Sequence, residues 1–180
     1  MRHLLWLGIC AGIWLGYGTG TSFGPIHAEA RVVKERIRLA PKLQAQLIVL
    51  IDEGARLHEV ATQGDRAALV KQVARLRRAL TQTQQLSPMA KVHRVHLDRT
   101  LGSLAAPLNR LRESPDSTFK PLLQESFRQL LQIARSYEIP HKYNYFFCGI
   151  DKSSWYQSGK APRNPVNPTG RTAKCGTLMQ

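Results

Sequence analysis

Most catalytic signatures are missing from this sequence. It has no P-loop, no glycine-rich dinucleotide fingerprint, no H-E-x-x-H, no C-x-x-C-H and no G-x-S-x-G elbow, so the chemistries those motifs carry have no carrier here. Carboxylates are scarce, with 12 Asp and Glu against 26 Lys and Arg. No two of them form a clear pair for acid–base work, and the chain reads as non-enzymatic. Alternation of period two is absent before Tyr143, which removes the signal for an extended sheet. No block of Lys and Arg is longer than Arg77-Arg78, and there is no internal repeat or low-complexity tract. Cysteine is rare at three residues, which excludes a disulfide-dense scaffold.

The first thirty residues read as a targeting segment. Arg2 and His3 form a basic start, and Leu4 to Tyr17 is an apolar run broken by glycines. Ala28-Glu29-Ala30 offers an A-x-A cleavage site, so residues 1–30 are expected to be a signal peptide removed near Ala30. The run is too short and glycine-rich for a clear membrane span, and a retained anchor is the alternative. Ile9 before Cys10 argues against a lipoprotein signal. The expected destination is the periplasm or another exported location. The remaining residues suit one domain, a helical body over 31–142 and a tail over 143–180 packed on it.

The net charge of +14 stays with the exported part, because Arg2 and Glu29 cancel in the leader. Such a balance favours anionic partners such as lipid headgroups or acidic envelope polymers. Export argues against nucleic acid. The cations are spread along helices, and the plain alternative is a solvated basic surface.

From Ala40 to Ile139 the apolar spacing is helical. Pro41 suits an early helical position, and Leu43, Leu47, Leu50, Ile51 and His58 share a face. Gly64-Asp65 ends this helix and caps the next, whose stripe is Leu69, Val73, Leu76 and Leu80 with Arg75, Arg77 and Arg78 outward. Ser87-Pro88 predicts a third helix by cap and N1 proline, with Met89, Val92, His96, Leu101, Leu104, Leu108 and Leu111 inward. Pro107 should kink it or end it early. Asp116 or Ser117 caps a fourth helix ending at Pro140, with Phe119, Leu122, Leu123, Phe127, Leu130, Ile133, Ala134 and Tyr137 inward. Short connections make the fold class all-α, an up-down-up-down four-helix bundle with an irregular C-terminal clasp.

The tail holds Cys148, Cys175, Trp155, the cluster Tyr143, Tyr145, Phe146 and Phe147, and the turn initiators Asn164-Pro165 and Asn167-Pro168. Tyr143–Phe147 suits one short strand. Ser158 to Lys174 reads as ordered loop, and the aromatics as the surface that docks the tail. Two chemistries compete for the cysteines. A Cys148–Cys175 disulfide would be worth ~3 kcal/mol by chain entropy. A copper or zinc site would instead join one or both thiolates to His93 and His96, three apart on the third helix with Met89 four before His93. Met179, His58 and His141 are weaker additions. The plain reading of the histidines is ordinary surface positions on a basic helix.

At these residues the tail resembles a bacterial family of exported proteins known as domain of unknown function 3347. Cys148-Gly149-Ile150 stands at its first motif, Trp155 at its tryptophan, Asn164-Pro165 at its turn and Cys175-Gly176 at its close. Members are often attached to membrane-fusion subunits of CusB-type heavy-metal efflux pumps. The resemblance implies an envelope protein linked to copper or zinc handling, with efflux-system or other envelope proteins as partners and His93 or His96 as the family's helix-three histidine. Ile150 replaces the methionine of the first motif, and Thr172-Ala173-Lys174 the methionine before the second cysteine. With no adaptor domain in these 180 residues, a stand-alone version of the family is expected.

Overall fold

A computed structural model describes residues 36–111, 114–140 and 142–179. The leader with its cleavage site, Cys10 and His141 lie outside the described residues. The fold is mostly helical, with a small three-stranded sheet and a disulfide.

Helix α1 spans Pro41–Gln63. Pro41 opens it because its missing N–H needs no partner in the first turn. Gly64 closes it at φ 75, a left-handed conformation that glycine adopts without steric cost. Helix α2 spans Arg66–Leu86, and the Asp65 carboxylate accepts the Ala68 N–H at 3.0 Å as its N-cap. Helices α3, Arg94–Leu111, and α4, Asp116–Ser136, follow. Helix α1 packs on α2, α2 on α3, and α3 on α4, while α4 also touches α1. Leu43, Leu47, Leu50 and Ile51 of α1 meet Leu76, Leu97, Leu101, Leu104, Phe127 and Leu130 in one core.

Three helix expectations are corrected. The Ser87-Pro88 start is a 3-10 segment, Ser87–His93, not the first turn of α3. Leu86 and Ser87 are both already helical, so Ser87 lacks the extended backbone that an N-cap needs. Lys91 then breaks the helical path at φ 50 and ψ −115. The buried stripe of α3 starts at Leu97 rather than His96, and Met89, Val92 and His96 lie at the surface. Second, α3 runs through Pro107 to Leu111 without ending early. A proline here forfeits one helical hydrogen bond, and its ring is buried among the α3 leucines. Third, Pro115 rather than Asp116 or Ser117 occupies the cap of α4, and its carbonyl accepts the Thr118 N–H at 3.1 Å.

The all-α expectation is corrected by the tail. Strand β1, Asn144–Phe147, lies between β2, Ser154–Gln157, and β3, Thr177–Met179, all antiparallel. Phe146 opposes Trp155, and the two rings stack with centroids 5.7 Å apart. The next pair, Tyr145 and Tyr156, points the other way, as alternation in a strand requires. Tyr156 is fully buried, and its hydroxyl donates to the Ile51 carbonyl of α1 at 2.8 Å. The ring fits because residue 54 is glycine: a Cβ there would lie 2.1 Å from the Tyr156 oxygen and 3.0 Å from Leu130.

This contact generates a double-mutant test. Gly54→Ala is expected to cost about 1–3 kcal/mol through overpacking. In a Tyr156→Phe background, which lacks the clashing oxygen, the same change should cost clearly less. Urea melts of the four proteins measure the coupling, and strict additivity would contradict the fit described.

Candidate functional site

The clasp is the most elaborated polar structure in the molecule. The Cys148–Cys175 disulfide is formed, with Cα atoms 5.3 Å apart. Cys148 directly follows β1 and Cys175 stands two residues before β3, so the covalent link closes one end of the β1–β3 ladder. Gly176 lies against the Trp155 ring: a Cβ there would be 3.0 Å from the indole and 2.7 Å from Pro162.

Two side chains organise the loop between the strands. The Asp151 carboxylate accepts from the Ser153 N–H at 3.0 Å, the Ser153 hydroxyl at 2.5 Å, and the amides of Asn164 and Asn167, each at 2.7 Å. Burial raises its pKa, but these donors together outweigh burial and hold it below the usual carboxylate value. Asn164 is fully buried, and its side-chain oxygen accepts the Val166 and Asn167 N–H groups, the geometry of a turn initiated at Asn164-Pro165. Gln157 is the second organiser. It accepts from the Trp155 indole and the Arg163 N–H, and donates to the Gly159 and Ala161 carbonyls.

Polar bonds then carry the clasp onto the helices. Lys142 and the Tyr143 hydroxyl meet Asp52 at 2.8 Å and 2.7 Å. Gln124 donates to the Asp151 carbonyl, and Lys120 to the Asn167 side chain. His58 is fully buried in α1, with Nε2 donating to the Arg163 carbonyl at 2.7 Å. Its Nδ1 is buried without a hydrogen-bond partner. Burial, with a smaller push from the Arg163 charge, lowers the His58 pKa to about 4.

The metal set expected of His93, His96, Cys148 and Cys175 is not assembled. Both sulfurs are spent on each other, and a metal needs thiolates. His96 Nδ1 lies 2.8 Å from the Tyr137 hydroxyl. His93 ends the 3-10 segment and His96 lies in the first turn of α3, both after the break at Lys91. Among the described residues, no group of three or more His, Cys, Asp or Glu could hold a metal ion.

A different feature stands out on the helices. From Arg66 to Leu97 there is no Asp or Glu, while Lys71, Arg75, Arg77, Arg78, Lys91 and Arg94 are all cationic. Arg75, Arg77 and Arg78 have no ion-pair partner among the described residues. They line two open grooves, one on α2 and one between α1 and α2. One, of about 390 Å³, is walled by Arg77, Arg78, Thr81 and Gln82. The other, of about 360 Å³, is walled by Arg56, Arg75, Arg78 and Gln82. Its one carboxylate, Glu53, is already engaged by Arg56 and by Gln72 at 2.7 Å. The acid-free interval is legible in the sequence, but it lies between motifs and no motif reports it. Among the described residues no helix is long and apolar enough to cross a membrane. Comparison with protein-family models, with characterised proteins and with solved structures finds no match.

Two outcomes test the clasp. Reduction, or Cys175→Ala, should cost about 3–4 kcal/mol by loop entropy, read as a lower urea midpoint. Stability should also fall as pH drops from 6.5 towards 4. In that window the unfolded chain binds a proton at His58 that the folded chain refuses, and the stability difference saturates below the folded pKa at about 3 kcal/mol. A His58→Gln variant should lack that component of the pH slope, and an unchanged slope would contradict the assignment.

Proposed function

We propose that this chain is an exported, non-enzymatic binding module, built on four helices in an up-down-up-down arrangement, whose basic surface meets an anionic partner of the cell envelope. The carrying observation is that α2 has no carboxylate and that Arg75, Arg77 and Arg78 stand without ion-pair partners among the described residues, around two grooves whose one acid, Glu53, is engaged by Arg56 and Gln72. Guanidinium groups clustered this way suit phosphate or carboxylate groups, which they bind through forked donors. The disulfide supports an oxidising compartment. The clasp supports a structural role for the tail, since its polar groups are turned inward on one another and on α1 and α4.

Metal handling, the role implied by the family resemblance, has weaker support. It retains His93, half-buried, and His96, exposed, but the cysteines join it only after reduction. Titration of the reduced protein with copper(I) and zinc tests it, and silent His93→Ala and His96→Ala variants would remove it.

The leading reading is tested with inorganic polyphosphate as a soluble polyanion. Affinity should fall steeply with salt, because screened charge supplies it. Replacing Arg75, Arg77 and Arg78 with Gln should weaken binding at low salt and flatten the salt slope by about two, at roughly 0.7 per lost contact on a flexible polyanion. Affinity indifferent to salt or to all three substitutions would end the proposal.

A further inference from the structure

The 3-10 segment after α2 and the first turn of α3 carry an exposure that the core does not explain. Val92 is 90% exposed, Val95 71% and Met89 37%. Three apolar side chains thus project within seven residues. Lys91 and Arg94 stand between them, both exposed, with half-buried His93. Lys91 holds φ 50 and ψ −115, a conformation that L-residues rarely adopt. Val95 lies in α3 two residues before Leu97, about 200° around the helix from it, and so points away from the buried stripe.

We propose that Met89–Val95 is a membrane-docking tip. Val92, Val95 and Met89 enter the apolar margin of a bilayer, while Lys91 and Arg94 meet anionic headgroups. This inference rests on the anionic-partner reading and specifies the partner as an anionic lipid surface. Three observations favour lipid over protein. First, three side chains offer far less surface than the ~800 Å² per partner of a stable protein interface. A bilayer margin accepts a few apolar groups, because each immersed methylene contributes by itself. Second, the charge is complementary. The nearest carboxylate in sequence, Asp98, is engaged by Arg94 at 3.4 Å, an exposed pair that a phosphate can replace. Glu138, close to Tyr137 beside His96, is held by Arg38. Third, α2 runs directly into the tip, so an apolar signal and a basic signal lie in continuous chain. Reversible peripheral binding becomes firm when two such signals combine.

The test uses the chain from Arg31 onward, which contains the whole compact unit Glu35–Gln180. Co-sedimentation is measured with vesicles rich in phosphatidylglycerol, alongside binding to polyphosphate. Val92 and Val95 are replaced together by Asp, positions whose exposure keeps them out of the folding core, and unchanged melts verify this. The double variant is expected to lose about tenfold or more in vesicle affinity, since each immersed valine contributes on that order, while polyphosphate binding changes much less. A second variant, Val92→Trp, should bind vesicles more tightly and blue-shift its emission on binding. Equal vesicle affinity of the Asp variant and the parent overturns the tip and leaves the anionic-partner reading standing. So does parent protein that binds polyphosphate but ignores vesicles. A parent that binds neither overturns both.

Discussion

The tail holds its shape because one phenol reaches into a helix. Three strands of three or four residues cannot persist alone in water. Their anchor is Tyr156, buried against α1 with its hydroxyl on the Ile51 carbonyl, in space that exists only because Gly54 has no side chain. The register follows from it. Once Tyr156 faces the helices, Trp155 must face the opposite way, and there Phe146 stacks on it while Pro162 and Gly176 lie close to the indole. The disulfide secures what this packing has placed. It ties the far strand to the central one, and it contributes chiefly by shrinking the unfolded ensemble.

The few carboxylates are largely consumed in construction. Asp52, Glu53, Asp98, Glu125 and Glu138 are paired with cations, Asp65 caps α2, and Asp151 organises the loop. Each pairing at the surface is worth little in stability. Their collective effect is on the field: the acids are committed near particular cations, and the excess of positive charge is left undiluted on α2. Net charge is an argument about association rather than fold, and its distribution is what the proposed anionic partner rests on.

The helical body was legible because its signals are local. Pro41, Gly64 and Asp65 mark boundaries by their own backbone preferences, and leucines at three- and four-residue spacing give the faces. The disulfide was one of two readings of the same pair of cysteines, and an expected export made it chemically permissible. What escaped was set by tertiary contact. Strands as short as Ser-Trp-Tyr-Gln and Thr-Leu-Met carry no measurable alternation. Asp151 looked like any loop acid, because its four donors come from residues up to 16 positions away. Trp155 drew attention by its size, yet the neighbouring Tyr156 makes the bond to the helix. The metal expectation found no site because the two sulfurs bond each other and His96 bonds the Tyr137 hydroxyl.

That break at Lys91 connects local strain to the surface chemistry. Met89 and Val92 flank the break, while Val95 and His96 follow it in α3, off the stripe of Leu97 and Leu101. Holding a lysine at positive φ costs on the order of 1–3 kcal/mol, and the surrounding core must supply it. Ala90 is buried immediately before it and Leu97 soon after it, so the segment is pinned on both sides. The strained residue therefore cannot relax outward without dragging core residues with it. The consequence is a small, rigidly presented group of apolar and cationic side chains at the end of an acid-free helix. Rigid presentation matters for binding, because side chains already fixed outward lose less entropy on contact than a mobile loop would.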